Sequence, residues 1–244
     1  MASICRPLLG CLCASLLCLL CQAANAADWQ FWSTTAMGGG ADCTVEPDQP
    51  NLGAKPDVGV RFNQYPTHTQ KTFLRFDLRK PERAAGVKPS GNPLVPNLVL
   101  TLAAKADADH RINVFGLIDR RSYGGTKAKP ILGADWAEDQ LTYANAPAAS
   151  PYGGGEYTDG KEKWEKGMLG GVAHEPTVLL GTITVKEGQE GEVVTPLPNL
   201  DAFIAKNAKS KVVTLILCRV TQTLNVTAFV SKDGDPVKAP KLAY

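Results

Sequence analysis

The alternation of hydrophobic and polar positions is clearest in residues 71–78. Leu74 and Phe76 recur at a spacing of two, and the polar residues Arg75 and Asp77 alternate with them. Side chains point to opposite faces of a strand at successive positions, so this pattern is typical of a strand with one buried face. The run therefore predicts a central strand of a β-sandwich.

Other short β-rich runs predict the remaining strands, at residues 41–45, 58–62, 98–102, 111–115, 177–185, 191–195, 211–220, 224–231 and 241–244. Only three residues separate 211–220 from 224–231, which predicts a hairpin. Residues 200–205 form the one plausible short helix. With 17 prolines and 23 glycines dividing the chain into short segments, the sequence predicts an all-β, antiparallel β-sandwich with long loop insertions at 79–97 and 148–176.

The first 26 residues have the pattern of a signal peptide. Arg6 is followed by an apolar run over residues 8–20, and Ala24 and Ala26 give the small-x-small pattern of a cleavage site. We expect cleavage after about Ala26 and a secreted, extracellular protein, or a periplasmic one in a bacterium, with no membrane attachment after cleavage. Residues 27–40 are then an N-terminal extension, and residues 41–244 a single β-sandwich module.

Cleavage would leave only two of the seven cysteines, Cys43 and Cys218. Two cysteines in an exported protein suggest one disulfide bond. The alternative is a pair of separate buried thiols. A bridge would place the strands at 41–45 and 211–220 side by side.

Charge and motifs exclude several functions. The 26 basic and 24 acidic residues give a net charge of +2, which is not the footprint of a nucleic-acid-binding protein. The histidines, His68, His110 and His174, belong to no metal-binding motif, and no nucleophile elbow or phosphate-binding loop is present. The sequence thus predicts a protein that is not an enzyme.

Four segments, read in order, resemble one known family. They are residues 41–45, residues 73–78, Trp136 to Glu138 with residues 141–147, and residues 229–233 with Pro240 to Leu242. Together they resemble the DNRLRE-type modules, the jelly-roll family that includes the family 96 carbohydrate-binding modules. The resemblance implies a jelly-roll β-sandwich that binds a polysaccharide or a cell-surface glycan, here as a free-standing module.

A sugar-binding site needs aromatic platforms and polar groups that grip hydroxyls, or basic groups where the sugar is a uronate. Side chains in loop-like stretches that suit the first role are Tyr65, Tyr123, Tyr152, Tyr157 and Trp164. The strand residues Arg75, Arg111 and Arg219 suit a clamp for carboxylates. The alternatives are that the aromatics pin the insertions to the sandwich and that the arginines pair with carboxylates or extend into solvent.

Acidic residues suggest two further sites. Asp42, Asp233 and Asp235 offer the oxygen ligands of a structural calcium ion, although they also suit turns. Asp135, Glu138 and Asp139 form a carboxylate cluster that could act on a glycosidic bond, or simply a solvated turn. Trp136 and Tyr143, close to this cluster, are expected in the core.

Three functions follow from these observations. The first is a secreted, non-catalytic carbohydrate-binding module. The second is a structural or adhesive surface protein that uses the sandwich as a spacer or binds other surface proteins. The third is a glycan-active enzyme built on the acids of residues 135–139.

Overall fold

The computed structural model describes residues 31–63, 65–83, 95–120, 122–126, 129–147 and 177–243. Within these ranges the strands and the single α-helix follow in chain order: β1 (Phe31–Thr34), β2 (Ala41–Val45), β3 (Asp57–Val60), β4 (Lys71–Asp77), β5 (Glu82–Arg83), β6 (Asn97–Thr101), β7 (His110–Leu117), β8 (Ser122–Thr126), β9 (Lys129–Leu132), β10 (Thr177–Val185), β11 (Glu192–Pro196), α1 (Leu200–Asn207), β12 (Val212–Arg219), β13 (Thr227–Val230) and β14 (Lys241–Ala243). A short 3₁₀ turn spans Pro66–His68.

Two five-stranded antiparallel sheets make up most of the structure. One has the order β11-β6-β14-β1-β5 and the other β10-β7-β12-β4-β2, and two smaller pairs, β13-β3 and β8-β9, complete it. The main hydrophobic cluster joins residues of both large sheets, including Leu98 and Leu242 of the first and Leu74 and Leu215 of the second. The predicted all-β, antiparallel sandwich is confirmed, while its jelly-roll connectivity stays a prediction.

Strand β4 is interior to the second sheet and is buried on both faces. Leu74 and Phe76 join the core between the sheets. Phe73 faces the opposite way, into a second hydrophobic cluster that also contains Trp136 and Leu141. The expectation of a single buried face was incomplete because residues 133–147, here called the 133–147 segment, fold back over the outer face of this sheet.

Helix α1 confirms the one helix expected from the sequence. It buries Leu200 and Phe203 against the sandwich core. Gly116 on β7 makes this packing possible, because a Cβ atom there would lie 2.6 Å from the Phe203 ring. Among the described residues, no helix is long and apolar enough to cross a lipid bilayer.

Three expectations about strand pairing and boundaries need correction. The predicted hairpin of residues 211–220 and 224–231 is wrong, since β12 lies in a five-stranded sheet whereas β13 pairs with β3. The sandwich includes β1, which lies in the expected N-terminal extension of residues 27–40, because Phe31–Thr34 pairs with both β14 and β5. The pair β8 and β9 had no counterpart among the predicted strands.

Candidate functional site

A groove on the outer side of β4 is the first candidate site. It has a volume of about 490 Å³. Its lining brings together side chains from β4, from the end of β7, from the 133–147 segment and from the start of β12, namely Gly39, Arg75, Arg79, Asp119, Arg120, Ala134, Asp135, Ser210 and Val212. We call it the arginine groove, after Arg75, Arg79 and Arg120.

Arg75 is held rigidly in the wall of the groove. Its Nε donates a 2.6 Å hydrogen bond to the carbonyl oxygen of Gly39, and its Nη1 donates to that of Trp136. The guanidinium carbon lies 5.1 Å from the centre of the Trp136 ring, a cation-π contact. Burial lowers the pKa of Arg75, while the nearby carboxylates of Glu138 and Asp135 oppose that shift.

Trp136, which supports the Arg75 guanidinium, is itself held in a fixed position. Its side chain is only 2% exposed, which confirms the expectation that it belongs to the core. The indole Nε1 donates a 3.2 Å hydrogen bond to Thr214 Oγ1, and the ring meets Phe73 edge to face at 6.2 Å between centroids. Because both partners lie in the sheet, the position of Arg75 follows from the core packing.

Arg79 is fixed by Asp77. Its Nε and Nη2 donate to the two carboxylate oxygens of Asp77 at 2.8 and 2.5 Å, and the Gly39 amide donates to the same carboxylate at 3.0 Å. These hydrogen bonds, with that of Arg79 the strongest, hold the pKa of Asp77 well below its ordinary value. Gly38 is required at this turn because its φ is +55° and a Cβ atom would lie 2.9 Å from the carboxylate.

A second pocket of about 630 Å³ adjoins the arginine groove and shares Gly39 and Arg79 with it. It adds Lys80, Glu82 and Asp77 to the lining. Together the two pockets are lined by as many basic as acidic residues. The basic ones are Arg75, Arg79, Lys80 and Arg120, and the acidic ones are Asp77, Glu82, Asp119 and Asp135. The described lining is therefore rich in donors and acceptors but carries no formal net charge, and it contains no aromatic residue.

The second candidate site is an acidic cluster made of Asp42, Glu138 and Asp233. One oxygen from each carboxylate lies within 4.8 Å of the others. Lys232 Nζ bridges Glu138 Oε2 at 2.8 Å and Asp233 Oδ2 at 3.1 Å. An open pocket of about 330 Å³ leads to the cluster, and Asn51 also lines it.

Asp42 is the buried member of the cluster, with no measurable exposure. Its Oδ2 accepts hydrogen bonds from Thr35 Oγ1 at 2.5 Å and from the Lys232 amide at 3.1 Å. Its Oδ1 accepts none from any residue that the structure describes. Burial raises the pKa of Asp42 despite these hydrogen bonds, and burial likewise raises that of Glu138.

The predicted arginine clamp is wrong. Arg219 is buried, and its Nη1 lies 2.9 Å from His110 Nδ1 and donates to Thr227 Oγ1 at 2.7 Å. Arg111 is exposed, and the strand register places it about 20 Å along the sheet from the level of Arg75. Only Arg75 of the three lines the groove; its actual neighbours, Arg79 and Arg120, follow β4 and β7 in loops, where no periodic pattern marks them.

Of the predicted aromatic platforms, the structure describes the side chain of Tyr65 alone, and Tyr65 does not line the arginine groove. Tyr65 is 58% exposed and packs edge to face on His68, at 6.4 Å between ring centroids. Tyr152, Tyr157 and Trp164 lie outside the described residues, so their role stays a prediction. Tyr143, expected in the core, packs half-buried against the second cluster.

The acids considered from the sequence divide between the two sites. Asp42 and Asp233 meet as expected for a metal site, but Asp235 points elsewhere and pairs with Lys238 at 3.1 Å. Glu138 takes the third place. Asp135 lines the arginine groove whereas Glu138 and Asp139 line the acidic pocket, so these acids do not face one ligand together.

The predicted disulfide bond is wrong, because Cys43 and Cys218 are both free and buried. Cys43 on β2 lies opposite Phe73 on β4, which lies opposite Ile216 on β12. Two strand spacings therefore separate the cysteines, about 9 Å or more, and a disulfide needs Cα atoms within about 7 Å. Burial raises the pKa of both thiols, to about 12 for Cys43 and about 11 for Cys218.

Comparison with known proteins gives no family assignment. No protein-family model matches the chain, and no curated protein is significantly similar to it. The DNRLRE-type resemblance therefore remains a prediction from the four sequence segments.

Proposed function

We propose that this chain is a secreted, non-catalytic carbohydrate-binding protein and that the arginine groove grips the hydroxyl groups of a polysaccharide. The observation that carries the proposal is the lining of the groove, where three arginines and two carboxylates share an open surface. Arg75 and Arg79 are fixed by hydrogen bonds within the protein. A site ordered in this way loses little conformational entropy when a ligand binds.

The chemistry of the lining suits a sugar. Each sugar hydroxyl both donates and accepts a hydrogen bond, so it needs acceptors and donors side by side. Asp119 and Asp135 supply acceptors, while Arg75, Arg79 and Arg120 supply planar arrays of donors. The described lining of the groove thus offers hydrogen-bonding groups to a sugar.

The balance of charge bears on the class of sugar. A polyanion such as a polyuronate is attracted by a surface with a clear excess of positive charge. The arginine groove and its neighbouring pocket carry four basic and four acidic residues. A neutral polysaccharide is therefore the better match, in contrast to the uronate that a clamp of three arginines would have favoured.

Two features of the sequence agree with this proposal. The first 26 residues have the pattern of an export signal, and polysaccharides are an extracellular class of ligand. The four segments that resemble the DNRLRE-type modules imply the same function. Neither feature identifies the sugar.

The experiment is retention of the purified protein on a panel of insoluble and soluble polysaccharides, neutral and acidic, at low and moderate salt. We expect retention on a neutral class with little dependence on salt. Retention on polyuronates alone, lost as salt rises, would contradict the charge argument. No retention on any polysaccharide would contradict the proposal and favour a structural or adhesive protein.

A further inference from the structure

The acidic cluster lies outside the arginine groove and joins three distant parts of the chain. Asp42 comes from β2, Glu138 from the 133–147 segment and Asp233 from the turn after β13. Calcium ions bind oxygen ligands at about 2.3–2.6 Å, so two ligands of one ion lie within about 5 Å of each other. The observed spacing, within 4.8 Å, is compatible with one ion contacting all three carboxylates.

The state of Asp42 is an independent sign of a missing partner. Its carboxylate is fully buried, yet Oδ1 accepts no hydrogen bond from the described part of the chain. Buried carboxylate oxygens are nearly always satisfied, because removing a charge from water without a partner is costly. A cation held beside Asp42 would satisfy this oxygen.

Lys232 does not fill that role completely. Its ammonium contacts Glu138 and Asp233, whereas Asp42 receives only the backbone amide of Lys232. Three carboxylates thus share the ammonium of Lys232, and of the three only Glu138 also interacts with the Arg75 guanidinium. The Lys232 side chain is 21% exposed and long enough to swing into solvent when another cation takes its place.

We propose that Asp42, Glu138 and Asp233 bind a calcium ion. The ligands are all carboxylate oxygens, which calcium prefers, and no imidazole or thiolate belongs to the cluster as zinc would favour. The open pocket beside Glu138 and Asp233 leaves room for water molecules to complete a coordination number of 6–8. The bound ion ties β2 and the turn after β13 to the 133–147 segment.

The first test is titration of the purified, metal-free protein with Ca²⁺. Calorimetry measures the binding, and the midpoint of thermal unfolding measures its effect on stability. Extracellular calcium modules have dissociation constants of about 10⁻⁴ to 10⁻³ M, so the titration extends to about 10 mM. We expect one site in this range and a higher unfolding midpoint at saturation. The proposal is overturned if calcium neither binds nor raises the unfolding midpoint up to that concentration, or if Mg²⁺ binds preferentially.

Variants locate the site. Asp42→Asn risks misfolding because the residue is buried, so the informative changes are Glu138→Gln and Asp233→Asn, each expected to weaken calcium binding at least about tenfold. Asp235→Asn is the matched control, since Asp235 is paired with Lys238 outside the cluster. Equal affinity in Glu138→Gln, Asp233→Asn and the control would place calcium elsewhere and contradict the proposal.

Lys232→Gln should change the affinity for calcium in the opposite direction. It removes the ammonium that competes for Glu138 and Asp233, so we expect tighter calcium binding than in the unaltered protein. Weaker binding would mean that Lys232 supports the site, which contradicts the proposed exchange. These measurements use calcium alone, so their outcome is independent of whether any polysaccharide binds.

Discussion

Arg75 lies over the ring of Trp136 and donates a hydrogen bond to the carbonyl oxygen of the same residue. One side chain of β4 thereby contacts both the indole and the backbone of the 133–147 segment. The same Arg75 also donates to Gly39, ahead of β2. It connects three parts of the chain at the wall of the arginine groove.

Replacing Arg75 should therefore affect stability as well as binding. We expect Arg75→Ala to lower the free energy of unfolding by about 2–3 kcal/mol, through loss of the cation-π contact and of two partly buried hydrogen bonds to the backbone. Urea unfolding measures the change. Arg111→Ala removes an exposed arginine of the same sheet and is the control, expected within about 0.5 kcal/mol of the unaltered protein; equal effects of the two changes would refute this role.

Lys71 is buried with its Nζ 5.3 Å from the centre of the Tyr143 ring. Burial lowers its pKa from 10.5 to about 8. A charged Lys71 thus costs the folded state on the order of 3 kcal/mol below pH 8, because the pKa shift is the net effect of its surroundings on the charged form. We expect Lys71→Met to be more stable than the unaltered protein at pH 7, by up to about 3 kcal/mol.

The advantage of Lys71→Met should shrink as pH rises from about 8 to 10.5. In that window the unfolded chain still holds the Lys71 proton while the folded protein has released it, so rising pH favours the folded state. The buried thiols and Tyr143 have raised pKa values and act in the opposite direction, but they are present in both proteins. A constant difference across this range of pH would disprove the assignment to Lys71.

The two cysteines should behave as buried thiols. We expect peptides containing Cys43 and Cys218 to be alkylated after unfolding without reductant and to remain unmodified in the native protein, because both thiols are inaccessible and protonated. Mass spectrometry of the digested protein measures this. A disulfide-linked pair of these peptides would contradict the structure.

His110 should make the protein sensitive to acid. It is 2% exposed, and burial followed by the charge of Arg219 lowers its pKa, while Asp107 and Asp109 oppose that shift. Below about pH 6.5 the unfolded chain binds a proton at His110 more readily than the folded protein does. The free energy of unfolding therefore decreases as the pH is lowered. We expect His110→Asn to cost about 1–3 kcal/mol at pH 7.5 and less near pH 5, as measured by urea unfolding; parallel curves for the two proteins would argue against it.

Periodicity was sufficient to predict the strands that contribute to the core. The strand β2 and the strand β10 have the bounds expected from the sequence, and β4 differs by a single residue, because alternating burial leaves a clear pattern. The short strands β1 and β5 were missed, since two to four residues are too few to show a period.

The candidate sites were less predictable, because they depend on which loops meet. Asp42 and Asp233 could be paired from the sequence as candidate oxygen ligands, yet Glu138 reaches them only because the 133–147 segment folds over the sheet. Arg75 and Arg219 looked equivalent as strand arginines. They point to opposite faces of the sheet, which depends on a register that the sequence did not specify.

The most direct measurement is affinity electrophoresis through gels that contain a polysaccharide on which the protein was retained. Arg120→Ala and Asp135→Asn each remove an exposed charged group from the arginine groove, and Arg111→Ala removes one outside it. We expect the two groove changes to weaken binding about tenfold, the effect of losing one hydrogen bond to a charged group, and the third to leave it unchanged. Equal retention of all three variants would contradict binding in the arginine groove.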